Sequence, residues 1–267
     1  MDAQLTTLFA LNFAINLIGT LAYAARIAGV RTRRIALAFS LFNALVLISR
    51  TANSFQAPLL AKRVERNVLA GTTAGTLEDF RWLLLAASLA TIVGALLTPM
   101  AQRLFSRGVN ALTRRRSLPR LIFDALSSQG LCALRESVVL PSSASAKKAV
   151  ARSGAPVGIL LVNGVATSIW TVGVFASLYA AYLAPDLRAT ASNLSAVVNG
   201  AATILLFVLV DPWLGVHTDD VLEGRASDAQ FRGSVVGLIA SRFAGSLAAQ
   251  FLLVPAAGFV AAVARHL

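Results

Sequence analysis

Two arginines lie inside apolar runs of the chain. Arg50 sits in LVLISRTANSFQAPLL (45–60) and Arg242 in VVGLIASRFAGSLAAQFLLVP (235–255). A guanidinium is permanently charged and grips carboxylate or phosphate oxygens through paired N–H bonds. Amides recur near both at helical spacing. Ser40, Asn43, Arg50 and Asn53 share one helical face, with Gln56 following, and Asn12, Asn16, Thr20 and Tyr23 share another. Asn163, Asn199 and Gln250 occupy later apolar runs. Cations ringed by amides suit a polar cavity inside an apolar shell, one that accommodates an anion. The candidate binding residues are therefore Arg50, Arg242, Asn43, Asn53, Gln56, Asn16 and Asn199. Asp211, just before Pro212, is a possible counter-ion or proton site, or it simply faces water.

Structural roles compete with these assignments. Arg50 can pair with Asp211 or bond carbonyls freed near Pro58, and Arg242 can snorkel to an interface. Bond-making chemistry finds no support. There is no GxxxxGK[ST] loop and no HExxH pair, and His217 and His266 stand far apart. The single cysteine, Cys132, excludes an intrachain disulfide. With no cluster of nucleophile, base or metal ligands, the expectation is a non-enzyme that uses no cofactor.

These side chains need elements to position them, and composition says which. The 267 residues are 57% apolar and only 13% charged, against about 25% charged in soluble domains. The apolar residues fall into six runs, 5–25, 35–60, 82–102, 157–183, 193–214 and 234–262. About 20 apolar residues cross a bilayer as a helix, so the expected fold is an all-α polytopic membrane protein with six transmembrane helices. The first run has no basic segment before it and is read as a retained helix rather than a signal peptide.

The net charge of +12 does not point to nucleic acid, because its distribution alternates. Loops one–two, three–four and five–six hold 16 Lys and Arg, the other segments outside the runs six. Basic loops stay cytoplasmic, which puts both termini outside. On that orientation Arg50 lies roughly 22 Å from the inner end of its run and Arg242 roughly 12 Å. Two cations at different depths would be two steps for a crossing anion.

Residues 1–104 and 157–267 look like related halves joined by a basic linker, 105–156. At an offset of 156, Tyr23-Ala24-Ala25 falls on Tyr179-Ala180-Ala181, Asn43 on Asn199, and Leu96-Leu97-Thr98-Pro99 on Leu252-Leu253-Val254-Pro255. Three spans per half is odd, so the second half would be inverted, a recurring transporter plan with the site at the repeat interface. Within the linker, Ser117 begins a short amphipathic helix expected to lie on the cytoplasmic surface. Gly233, Gly237, Ser241, Gly245 and Ala249 form a small-residue seam, within the bundle or between subunits of a homo-oligomer. Tyr23 is expected at a membrane interface and Trp170 in packing.

The segment RIALAFSLFNALVLISRTANSFQAPLL (34–60), preceded by GTLAYAARIAGV (19–30), resembles the Amj family, the alternate lipid II flippases of bacteria. The specific resemblance is concentrated in the first two helices, while length and six-span layout fit the whole chain. It implies transport of lipid II, an undecaprenyl diphosphate bearing a disaccharide-pentapeptide, across the cytoplasmic membrane for cell wall biogenesis. The arginines would then meet the diphosphate and the amides the sugars and peptide. Alternatives are a transporter of another anionic lipid-linked glycan, a membrane enzyme acting on lipid phosphates, or a noncatalytic envelope scaffold.

Overall fold

The computed structural model describes residues 2–69, 73–115, 117, 127, 135–137 and 153–267. Among these, the chain order is α1 (Ala3–Thr32), α2 (Ile35–Leu69), α3 (Thr73–Arg115), α4 (Val157–Leu183), α5 (Arg188–Leu205), α6 (Asp211–Leu222) and α7 (Asp228–His266). A 3-10 turn, Pro185–Leu187, leads into α5, and a π turn, Leu206–Val210, joins α5 to α6. Counting α5–α6 as one, six helices are long and apolar enough to cross a membrane.

The helices outrun the apolar runs that announced them. The run at 82–102 belongs to a helix of 43 residues, roughly 65 Å long, more than twice the thickness of hydrocarbon. Hydropathy marks only the part that suits lipid, while the polar flanks continue as helix into water. Likewise Asp219 and Asp220, expected in a loop, stand on α6. The amphipathic helix expected after Ser117, and Cys132, lie outside the described residues.

Local sequence sets the ends. Asp2 caps α1 by accepting from Leu5 N–H at 2.8 Å. That bond and the Arg63 guanidinium hold its carboxyl below the usual range, so the cap persists until pH falls below that range. At the other end of α1, Arg33 is left-handed (φ 54). Arg33 N–H bonds Val30 and Arg34 N–H bonds Gly29, closing a Schellman turn. A Cβ on Gly29 would come within 2.8 Å of Ala38 Cβ, so α2 folds tightly back on α1 there. Ser227 and Gln230 form a capping box at the start of α7.

Each half packs its first helix between the other two, α1 against α3 and α2, and α4 against α7 and α5. Packing is dense within the halves and sparser between them. Contacts give the directions. Asn12 bonds the Leu83 carbonyl at 2.5 Å, and Gly94 lies against Thr20, so α1 and α3 run parallel. Asn163 meets Leu238 and Ser241 while Gly164 meets Gly245, so α4 and α7 run parallel. Between halves, Ser88 pairs with Ser246 and the Arg81 carbonyl with Gln250. The second half therefore runs opposite to the first. The matched Ala24-Ala25 and Ala180-Ala181 are all buried, and Pro99 and Pro255 both interrupt long helices.

The bundle is closed unequally at its two ends. At the Asp2 end a core of Leu5, Leu8, Leu60, Phe80, Leu83, Phe175 and Leu253 draws on both halves. There Arg63 bridges Asp2 (2.7 Å) and Asp79 (2.6 Å), tying α1, α2 and α3 together. At the Arg26 end a smaller core, including Ile27, Leu214, Phe231 and Leu238, joins only α1, α6 and α7 with the π turn.

The small-residue seam packs inside the bundle, not between subunits: a Cβ at Gly245 would strike the Gly164 carbonyl, and one at Gly164 would sit 3.2 Å from the Ser241 carbonyl. Gly245→Ala should therefore lower the thermal midpoint in detergent, by an overpacking cost of about 1–3 kcal/mol. Gly258→Ala, where nothing lies within 4 Å, should match or exceed the native midpoint. Equal midpoints for both would contradict the seam.

Candidate functional site

Five residues on one face of α1, Arg26, Tyr23, Gly19, Asn16 and Asn12, recur at intervals of three and four. They form a polar track roughly 21 Å long. Two cavities line up along it.

The larger holds about 160 Å³ and is lined by α1, α2, α4, α5, the π turn, Asp211 and Arg242. Since roughly 10–15 Å³ suffices for one water, it accommodates a hydrated group. Arg26, Arg50, Arg242 and Asp211 are its charged residues, an excess of two positive charges.

Each guanidinium is held differently. Arg26 is buried, its side chain 7% exposed, and its Nη2 donates to Asp211 Oδ1 at 2.5 Å. Phe39 and Phe42, one turn into α2, lie 5.1 and 4.9 Å from its Cζ and add cation–π attraction. Arg242 reaches α1 where Gly19 leaves room: a Cβ there would come within 2.9 Å of Arg242 Nη2. Its Nη2 donates weakly to Asn16 Oδ1 (3.5 Å), and its buried Nε has no partner among the described residues. Arg50 is exposed on α2 beside Ser49, whose hydroxyl bonds the Ile15 carbonyl. Neither Arg50 nor Arg242 has a carboxylate partner among the described residues.

Pro212 explains how Asp211 is aimed. Lacking an N–H, it cannot bond the carbonyl four residues back. The helix widens into a π turn before it, in which Asp211 N–H bonds Leu206. Such turns often mark functional sites, and here Leu206, Phe207 and Val210 all line the cavity.

The second cavity is smaller, about 30 Å³, and amide-lined: Asn12, Asn16, Asn53, Gln56 and Asn199 all contribute. Asn199 Oδ1 and Thr171 Oγ1 are buried there without partners among the described residues. Ile15 and Trp170 line both cavities and form the wall between them. The larger cavity is not sealed from the side. α2 and α5 both line it yet scarcely touch each other. Their outward faces carry exposed Leu47, Phe55, Val197 and Ile204.

Six of the seven expected binding residues thus line the cavities: Arg50 and Arg242 the larger, Asn16, Asn53, Gln56 and Asn199 the smaller. Asn43 is exposed on α2 and lines neither. Asp211 pairs with Arg26, not with Arg50. Arg26 had been assigned to a loop because the apolar run stops at residue 25. The signal for it was the α1 face itself, which continues from Asn12 through Tyr23 to Arg26. Tyr23, expected at an interface, instead donates to Asn163 Oδ1 at 3.2 Å beside the cavity.

The depths also change. Because α7 starts at Asp228, Arg242 is 14 residues along, roughly 21 Å, which nearly matches Arg50, 15 residues along α2. The two cations face each other across one chamber and do not form successive steps.

The comparisons with known proteins agree with one another. The family model Amj, described as Alternate to MurJ, matches residues 11–264. A Bacillus subtilis (strain 168) protein, "Lipid II flippase Amj", is 36% identical over 265 residues, 98% of this chain and 97% of that protein. No solved structure matches.

The cavity geometry is open to chemical test with Cys132 replaced by serine. A cysteine at Arg50 should react readily with a water-soluble anionic thiol reagent. One at Val197, 65% exposed on the outer face of α5, should stay unreactive in a bilayer. Equal protection of both would mean that Arg50 does not face water.

Proposed function

The chain belongs to the Amj family, and on that premise we propose that it moves lipid II from the inner to the outer leaflet of the cytoplasmic membrane. The observation that carries this is the single chamber holding three guanidiniums and one carboxylate beside a gap between lipid-facing helices. Its surplus of two positive charges matches the two negative charges of a diphosphate diester. Arginine forks suit phosphate oxygens, and the gap lets the polyprenyl tail stay in the bilayer while only the headgroup enters.

The Arg26 end faces the cytoplasm, as the basic loops require, and both termini lie outside. The outer end is sealed by the larger core and the Arg63 bridges, so this arrangement receives cargo from the inner leaflet. The diphosphate sits between Arg50 and Arg242. The sugars advance toward the amides once the Ile15–Trp170 wall parts. The two halves are inverted repeats, and rocking them about their sparse interface exposes the chamber to the other side. An inside-negative potential favours this transit by roughly 2.3 kcal/mol per charge per 100 mV. Moving a lipid intact needs no catalytic group, and the protein acts as a transporter without a cofactor.

The test is rescue of cells lacking every other lipid II flippase, at matched expression, with flipping measured in vesicles. Arg50→Ala and Arg242→Ala should each slow flipping at least tenfold, about 1.4 kcal/mol in the barrier. Asn43→Ala should rescue fully. Full rescue by Arg50→Ala would remove Arg50 from the site. Flipping of other diphosphate-linked glycans but not lipid II would reassign the cargo.

A further inference from the structure

The chamber holds one feature that cargo binding by Arg50 and Arg242 leaves unexplained. The most deeply buried cation in it, Arg26, is already neutralised. Its partner Asp211 belongs to the other half of the protein, is 31% exposed and lines the same cavity. A pair that served packing alone would gain nothing from a wet wall, where an entering anion can compete for the guanidinium. Phe39 and Phe42 cover Arg26 with ring faces, which stabilise the cation without occupying its N–H groups. Arg26 therefore stays charged and keeps donors to offer as Asp211 is displaced.

We propose that Arg26 is a third phosphate-binding cation, held in reserve by Asp211 and passed to the cargo by exchange of one anionic partner for another. The proposal rests on the assignment of the chamber to a lipid diphosphate. Arg26 lies on α1, two turns from the level of Gly19 and Arg242, toward the cytoplasmic end. An entering diphosphate meets it first. Taking Arg26 from Asp211 breaks the ion pair that spans the halves at that end, so arrival of the cargo loosens the contact that rocking must break. When the cargo leaves, Asp211 recaptures Arg26, and the guanidinium is never left unpaired in a region of low dielectric.

Binding in lipid nanodiscs tests this with farnesyl diphosphate as probe and farnesol as the uncharged control. Asp211→Asn should tighten farnesyl diphosphate binding at least fivefold and leave farnesol unchanged. In that background Arg26→Gln should weaken diphosphate binding at least tenfold. Arg26→Lys, which keeps the charge but loses the planar fork, should weaken it severalfold. If Arg26→Lys and Asp211→Asn together bind as tightly as Asp211→Asn alone, Arg26 acts only through its field and the exchange is overturned. Should Asp211→Asn fail to fold, Arg26→Lys alone, which retains a partner for Asp211, asks the same question, and unchanged diphosphate affinity overturns the proposal. Wild-type protein that does not distinguish farnesyl diphosphate from farnesol would overturn the lipid-diphosphate assignment itself.

Discussion

A guanidinium in hydrocarbon is unfavourable by about 2.5–3.5 kcal/mol on insertion scales, and the bundle is arranged around the three it carries. Arg26 is compensated by a carboxylate and two phenyl rings, Arg242 by an amide and the gap over Gly19, and Arg50 by its exposure to the chamber. The three solutions require three different neighbours, and these come from both halves. The position of α6 against α1, the bare backbone at Gly19 and the looseness of α2 all follow from where the charges must be accommodated.

The same constraint accounts for the uneven packing. α1, α3, α4 and α7 bury small residues against one another, and their close approaches at Gly94, Gly164 and Gly245 admit no larger side chain without movement. α2 and α5 have no such seam with each other and leave the chamber open between them. A rigid four-helix interior with two loosely attached flanking helices suits a protein that must hold a polar headgroup while its tail remains among lipids.

The helices were legible in the sequence because hydrocarbon imposes a length and a composition. α4 begins and ends where its apolar run does, at 157 and 183. Legibility failed wherever helix and hydrocarbon part company. The α7 start at Asp228 lies six residues before its apolar run, which misplaced Arg242 in depth. Arg26 lies just beyond an apolar run yet remains helical and buried. Asn16, Asn53, Gln56 and Asn199 were found by type and spacing, since amides inside spans have few other reasons to be there. Asn43 passed the same test but faces outward, because spacing defines a face without saying which neighbour it meets. The Arg26–Asp211 pair joins residues 185 apart in the chain, and no local pattern announces such a partnership.

The π turn before Pro212 adds one residue to a helical coil. An α-helix advances about 100° per residue, so removing a single residue from 206–210 would restore the regular coil and swing everything beyond it by more than a quarter revolution. Asp211 would then face away from Arg26, and the face that α6 turns toward α7, from Leu214 to Thr218, would rotate with it. This part of the chain therefore tolerates substitutions more readily than any change in length.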